Sequence, residues 1–368
     1  MRVWRRRPWI SAIPVFLAIA LTMAVHLFQG KDVPPDIVPQ VSKTTLLPGY
    51  QNKKPSEIIR VGLQVKNIYD LSLPNQTFMV DGWYWLAWGD DVQKKLDRFG
   101  IKPSEIIEIT NEIDQSNHSY SAVLEEPLQI SPELTHSYYV KFSKKLFLDE
   151  VPQRYAPFDS QRLPIDIEIM PGALSAQKAS DLLELQPFPV KEFPIAGEFT
   201  TMIGYRLANA EWSRKAVYYS PPNNSYYSRV SAVFTLSPEA PALFLKWLLP
   251  LAAVMIVVVL VPSIDSSLGD SRLAIPPAAL LTLVILHGEY RANFPPAPYL
   301  TFLDKIYSYS YISCLLIFVI TLAGSNALSR LSGNAAVERA RNINRLEHLA
   351  QFVIVGGFLI ELILAWYF

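Results

Sequence analysis

The chain is short of cysteine, of histidine and of net charge, and each shortage excludes something. Its single cysteine, Cys314, lies in an apolar run, so no disulfide can form within the chain and any exported domain must hold by packing alone. Lys and Arg together number 33, as do Asp and Glu, which leaves no basic excess to attract nucleic acid. The 5 histidines, His26, His118, His136, His287 and His348, show no metal-ligand spacing, and no cofactor motif accompanies them. "SAQK" at Ser175 to Lys178 matches a Ser-x-x-Lys pattern without supporting residues, so no enzymatic activity is expected.

Apolar residues are what the chain has in quantity. A composition 50% hydrophobic and 18% charged fits a membrane protein with one soluble domain. "MRVWRRRPW" sets Arg2, Arg5, Arg6 and Arg7 ahead of the apolar run Ile10 to Leu27, the layout of a signal peptide or N-terminal anchor over 1–30. Residues 31–55, rich in Pro, Lys, Gln and Ser without periodicity, read as a tether. From 56 to 240 the stretches "IIRVGLQVKNIYDLSL", "QTFMVDGWYWLAWGDD", "SYYVKFSKKLFL", "LPIDIEI", "TTMIGYRLANAEW" and "YYSRVSAVFTLS" alternate with period two, the first pair joined at Pro74-Asn75 as a hairpin. An all-β, immunoglobulin-like sandwich is the simplest account.

Residues 241–368 then carry the apolar segments Ala242 to Val261, Leu273 to Leu286, Ile306 to Ala323 and Leu349 to Phe368, read as a bundle of transmembrane helices. A loop at 324–348 sets Arg330, Arg339, Arg341 and Arg345 against Glu338 and Glu347. Its arginine excess assigns it to the cytoplasm and leaves the β-domain on the extracytoplasmic side of a cell membrane.

The second segment is short. Its uncharged middle has 14 residues, against the roughly 20 of a helix that crosses hydrocarbon. Asp270 and Arg272 bracket one end, Glu289 and Arg291 the other. A helix shielded by protein and lining an aqueous path tolerates this, and enclosing such a path takes several subunits with cyclic symmetry. Rings of Asp270 and Arg272 at the inner mouth and of Glu289 and Arg291 at the outer would set the field for permeant ions. Leu281 and Ile285 would form an apolar constriction. A short buried helix in a non-conducting anchor is the other reading. Pro276-Pro277 either marks the start of the helix near Ile275 or bends it.

Several separate stretches then share a pattern. "WYWLAWGD" carries Trp83, Trp88 and Asp90; "RYAPFDSQRLPIDIEI" carries Pro157, Phe158, Asp159 and Gln161; "FLKWLLPLAAVM" carries Pro250; "RANFPPAPYLTFLDKI" carries Arg291, Asn293, Pro295, Tyr299 and Asp304. In this order the chain resembles the pentameric ligand-gated ion channels, the Cys-loop receptor superfamily, and especially its bacterial members, which lack the loop cysteines. The resemblance covers about Ile58 to Phe368. It implies a homopentamer in the lipid bilayer, second helices lining the pore, and a small-molecule ligand bound between neighbouring β-domains. It further implies an aromatic box with Trp83 on one face and Tyr218, Tyr219, Tyr226 and Tyr227 on the other, only one of each adjacent tyrosine pair facing the pocket. Pro157, Phe158 and Asp159 would meet the linker residues Pro295 and Tyr299 and the turn Leu73 to Gln76 to couple binding to the pore. Asp270 stands where cation-selective relatives carry an acid.

The departures are specific. Pro238 replaces the arginine that generally precedes the first helix, the pore face offers Ala274 and Ala278 where relatives show hydroxyls, and Thr282 is the only hydroxyl of that run. A non-conducting sensor of the same architecture is therefore the alternative. Trp88 is read as core, Glu361 as needing a polar partner within the bundle, and His287 as facing the outer mouth.

Overall fold

The computed structural model describes residues 44–46, 54, 57–113, 121–122, 133–189, 195–197, 204–220, 224–264, 269–328 and 334–367. The expected signal or anchor and nearly all of the tether lie outside these residues. The chain divides into two compact units, one of strands through Val151 and over Ser160–Pro238, the other of helices from Glu239 onward together with the loop Pro152–Asp159.

The strands of the first unit are β1 (Thr44–Leu46), β2 (Ile58–Ser72), β3 (Thr77–Trp88), β4 (Ile107–Ile109), β5 (Ser121–Ala122), β6 (His136–Phe147), β7 (Gln161–Ile169), β8 (Glu184–Pro187), β9 (Tyr205–Tyr219) and β10 (Ser225–Pro238). They form two sheets in the orders β1-β9-β10-β7-β4 and β5-β6-β3-β2-β8, each with three long central strands and a short strand at either edge. The expected hairpin is present between β2 and β3, closed by Gln76 N–H donating to the Leu73 carbonyl at 3.1 Å with Gln76 at φ 55°. Asn111 ties the sheets together, its amide donating to the carbonyls of Phe147 on β6 and Pro164 on β7.

Alternation failed to announce one helix, α1 (Asp90–Phe99), which follows β3 directly. Its signals are local: Asp90 and Asp91 in the first turn, Arg98 in the last, and Gly100 at φ 65° as the left-handed stop. Trp88 is core as expected, 1% exposed, with its indole N–H on Gln93 of α1 at 2.8 Å. Asp90 accepts from Thr135 at 2.6 Å and lies 2.9 Å from His136, contacts that hold its carboxyl below the usual range. The Trp-x-Asp spacing thus fastens the end of β3 to the start of β6.

Among the described residues, the second unit contains four helices long and apolar enough to cross a membrane. They are α2 (Ala240–Ser263), α3 (Gly269–Ala292), α4 (Phe302–Leu328) and α5 (Asn334–Tyr367). Within α2, a π turn over Phe244–Leu248 precedes Pro250, which has no N–H to place in the ladder. Pro276 and Pro277 lie inside α3, which starts at Gly269, well before Ile275. The stretch expected as a loop at 324–348 is largely helical, because α4 runs to Leu328 and α5 begins at Asn334. Helix α4 packs against both α3 and α5 and is the most buried of the four, while α3 is the least. Glu361 of α5 is 3% exposed and within electrostatic reach of Lys305 and Tyr309 of α4, which meets the expectation of polar partners in the bundle.

Candidate functional site

Helix α3 turns by about 100° per residue, so positions spaced four, four, three, four and four apart share a face. Asp270, Ala274, Ala278, Leu281, Ile285 and Glu289 have that spacing, and all six are exposed. Leu281 and Ile285 are 63% and 62% exposed. The opposite face, with Pro276, Ala279, Leu283 and Tyr290, is buried among α2 and α4. This exposed row runs the length of the helix, apolar in the middle and acidic at both ends. Thr282, beside the apolar middle, donates to the helix's own Ala278 carbonyl at 3.0 Å.

Arg272 departs from the sequence expectation. It is 2% exposed and donates to Glu347 of α5 at 2.5 Å, so it does not stand beside Asp270 at the mouth. The reason is helical: residues two apart lie about 200° apart around the axis. Arg291 is likewise turned from Glu289, its guanidinium donating to Asp304 of α4 at 3.2 Å. His287 does not face the outer mouth. It turns inward, with one ring nitrogen 2.9 Å from Asp304 and the other 3.0 Å from the Tyr311 hydroxyl, and stacks on Tyr307 at 4.6 Å.

The loop Pro152–Asp159 belongs to the helical unit and makes its contacts there. Phe158 meets Phe302 at 5.9 Å and Trp366 at 6.2 Å, and Tyr155 meets Trp366 at 5.4 Å. The Phe302 N–H donates to the Arg154 carbonyl at 2.9 Å, and the Tyr290 hydroxyl reaches the Ala156 carbonyl at 3.4 Å. Pro157 and Pro295 are both buried, and Tyr299 is hydrogen-bonded to the backbone of Gln153. The loop and the linker expected to work together are therefore in contact. Burial pushes the Asp159 carboxyl up to about 6, partly opposed by the Tyr155 N–H that donates to it at 2.7 Å.

The expected ligand residues lie in different sheets of the β unit. Trp83 is half-buried on β3, opposite Gln64 of β2 and Lys141 of β6. Tyr218 and Tyr226 are cross-strand partners on β9 and β10 with ring centroids 5.0 Å apart, and both are half-buried. Tyr219 and Tyr227 point to the other face at 5.4 Å, as strand alternation requires. Tyr227 is 6% exposed and packs in the core. Tyr219 accepts from Arg229 at 2.7 Å, and Arg229 donates to Glu168 at 2.6 Å. Burial pushes the Tyr219 hydroxyl up to about 12, with the Glu168 charge adding to it. Burial likewise raises the Glu168 carboxyl, with the Arg229 guanidinium pulling the other way.

Sequence reasoning passed over the surroundings of Tyr219. An open cavity of about 570 Å³ is lined there by Glu108, Asn111, Asp149, Asp166, Tyr219 and Arg229, among others. These residues come from separate strands and loops, and no spacing in the chain could have grouped them. No family model matches this chain, and no curated protein matches it in sequence.

Proposed function

We propose that the chain is one subunit of a homopentameric ligand-gated channel for small cations, with the α3 helices around a shared aqueous axis. The observation that carries this reading is the row Asp270, Ala274, Ala278, Leu281, Ile285 and Glu289, exposed along all of α3 and closed by a carboxylate at each end. An aqueous axis formed by copies of the same helix covers the apolar middle and hydrates both acidic ends. With Arg272 and Arg291 drawn onto carboxylates of α5 and α4, the charges left on the row are acids, which favours cations.

The β unit is read as an immunoglobulin-like sandwich on the extracytoplasmic side, binding its small-molecule ligand between neighbouring subunits, with Trp83 facing Tyr218 and Tyr226. A cation held against such ring faces gains about 2 kcal/mol or more when desolvated. Ligand binding shifts the population towards an arrangement in which the contact of Pro152–Asp159 with the linker displaces α3 and opens the constriction at Leu281 and Ile285.

Recording in planar bilayers tests the proposal. Leu281→Ser should hydrate the constriction and raise the resting current; an intact oligomer silent in both forms overturns conduction. That outcome would favour a non-conducting sensor of the same architecture, for which the hydroxyl-poor row is the supporting observation.

A further inference from the structure

We propose that Glu347, on α5 and away from the row itself, sets the charge preference of the path by withholding Arg272 from it. The inference rests on the channel reading and adds a residue that this reading does not use. Arg272 lies within two residues of Asp270, at the end of α3 where a free guanidinium would cancel the acid's field. Instead it is buried, and its Nη2 donates to Glu347 Oε2 at 2.5 Å; the glutamate is 0% exposed. Space for that carboxylate is left by Gly324 of α4, where a Cβ would come within 3.3 Å of Glu347 Oε1 and 3.1 Å of Ile343.

The pair is a poor device for stability. Arg272 Nε and Glu347 Oε1 are buried without hydrogen-bond partners, so desolvation is only partly offset. An apolar pair of similar volume would hold α3 to α5 at least as well. What an apolar pair at these positions does not explain is why the arginine is there and turned away. With Glu347 uncharged, the guanidinium loses the carboxylate with which it is paired among the described residues. Its long stem then lets the head leave the interior for water at the same end of α3; it leaves from the other side of the helix, but within the roughly 10 Å over which its charge still offsets that of Asp270. Glu347 is therefore a positioning residue that acts through Arg272.

The test compares reversal potentials in asymmetric KCl for the full-length protein in planar bilayers. Asp270→Asn should lower the cation preference several-fold. Glu347→Gln should lower it as well, although the residue is not on the row, and Arg272→Gln/Glu347→Gln should restore the wild-type value. Glu347→Gln keeps side-chain length while Arg272→Gln shortens it, and melting of the detergent-solubilised oligomer checks that each variant folds. Should Glu347→Gln fail to assemble, the double variant decides: an unchanged reversal potential supports withholding, and a rise in cation preference shows that Arg272 already faces the ions and overturns it. A wild-type oligomer with no current overturns the channel reading and this inference with it. A conducting wild type whose selectivity ignores Glu347→Gln overturns this inference alone.

Discussion

Trp85 needs a glycine across the strand. Its indole lies over Gly62 of β2, where a Cβ would sit 1.9 Å from the ring, and the ring packs on Tyr139 and Phe188 at 6.1 and 6.3 Å. Gly62→Ala should therefore destabilise the β unit by about 1–3 kcal/mol, read as a lower melting temperature with a red-shifted tryptophan emission. Asp159 makes a different prediction. Its ordinary value is 3.8 and burial raises it to about 6, so the native state holds the proton more tightly than the unfolded chain does. Its contribution to stability is thus greatest below about 4 and is lost as pH rises to about 6. Asp159→Asn should flatten that part of the stability–pH curve in thermal melts taken from pH 4 to 7; an unchanged slope would count against the burial. The Pro-Phe-Asp spacing was legible in the sequence, but the proton affinity of Asp159 was not, because it depends on helices more than 80 residues away.

Helix ends and helix faces differ in how much of them a sequence reveals. All four apolar segments were visible as runs, but α4 and α5 extend past them into polar sequence that no apolar count would include. The exposed side of α3 was readable from helical periodicity once the helix was assumed; the pairing of Arg272 with a residue 75 positions on was not. Helix α5 offers a sharp comparison at Gly356-Gly357. A Cβ at Gly357 would come within 2.2 Å of the Tyr309 hydroxyl, which donates to the Ile354 carbonyl at 2.9 Å, whereas nothing lies within 4 Å of a Cβ at Gly356. Gly357→Ala should separate α5 from α4 and cost about 1–3 kcal/mol. Gly356→Ala should be neutral or stabilising by up to about 1 kcal/mol through helix propensity. Thermal melts in one detergent should rank the two variants in that order.

For the whole molecule, the question is whether the exposed row of α3 meets water or lipid. Cys314 is the only cysteine and is buried, so single-cysteine variants can be read without removing it. A charged, water-soluble thiol reagent should modify Ala278→Cys and Leu281→Cys in proteoliposomes. Leu359→Cys, at an α5 position that is 60% exposed, should resist it, since an acyl-chain environment suppresses the thiolate. Equal resistance at all three positions would place the row against lipid and remove the aqueous axis. Native mass measurement should return five copies.

The sequence by itself determined the order of the chain, strands followed by four apolar segments, because period-two alternation and apolar runs are local signals, whereas the full length of α3 came from the structure. It also placed Trp88 in the core and one tyrosine of each pair on each face of its strand, since burial and alternation follow from residue type and position. Only tertiary structure decided where the charges go. Arg272, Arg291 and His287 each found a partner on another helix, and a buried or half-buried charge settles wherever a counter-charge lowers the cost of leaving water, which no local pattern specifies.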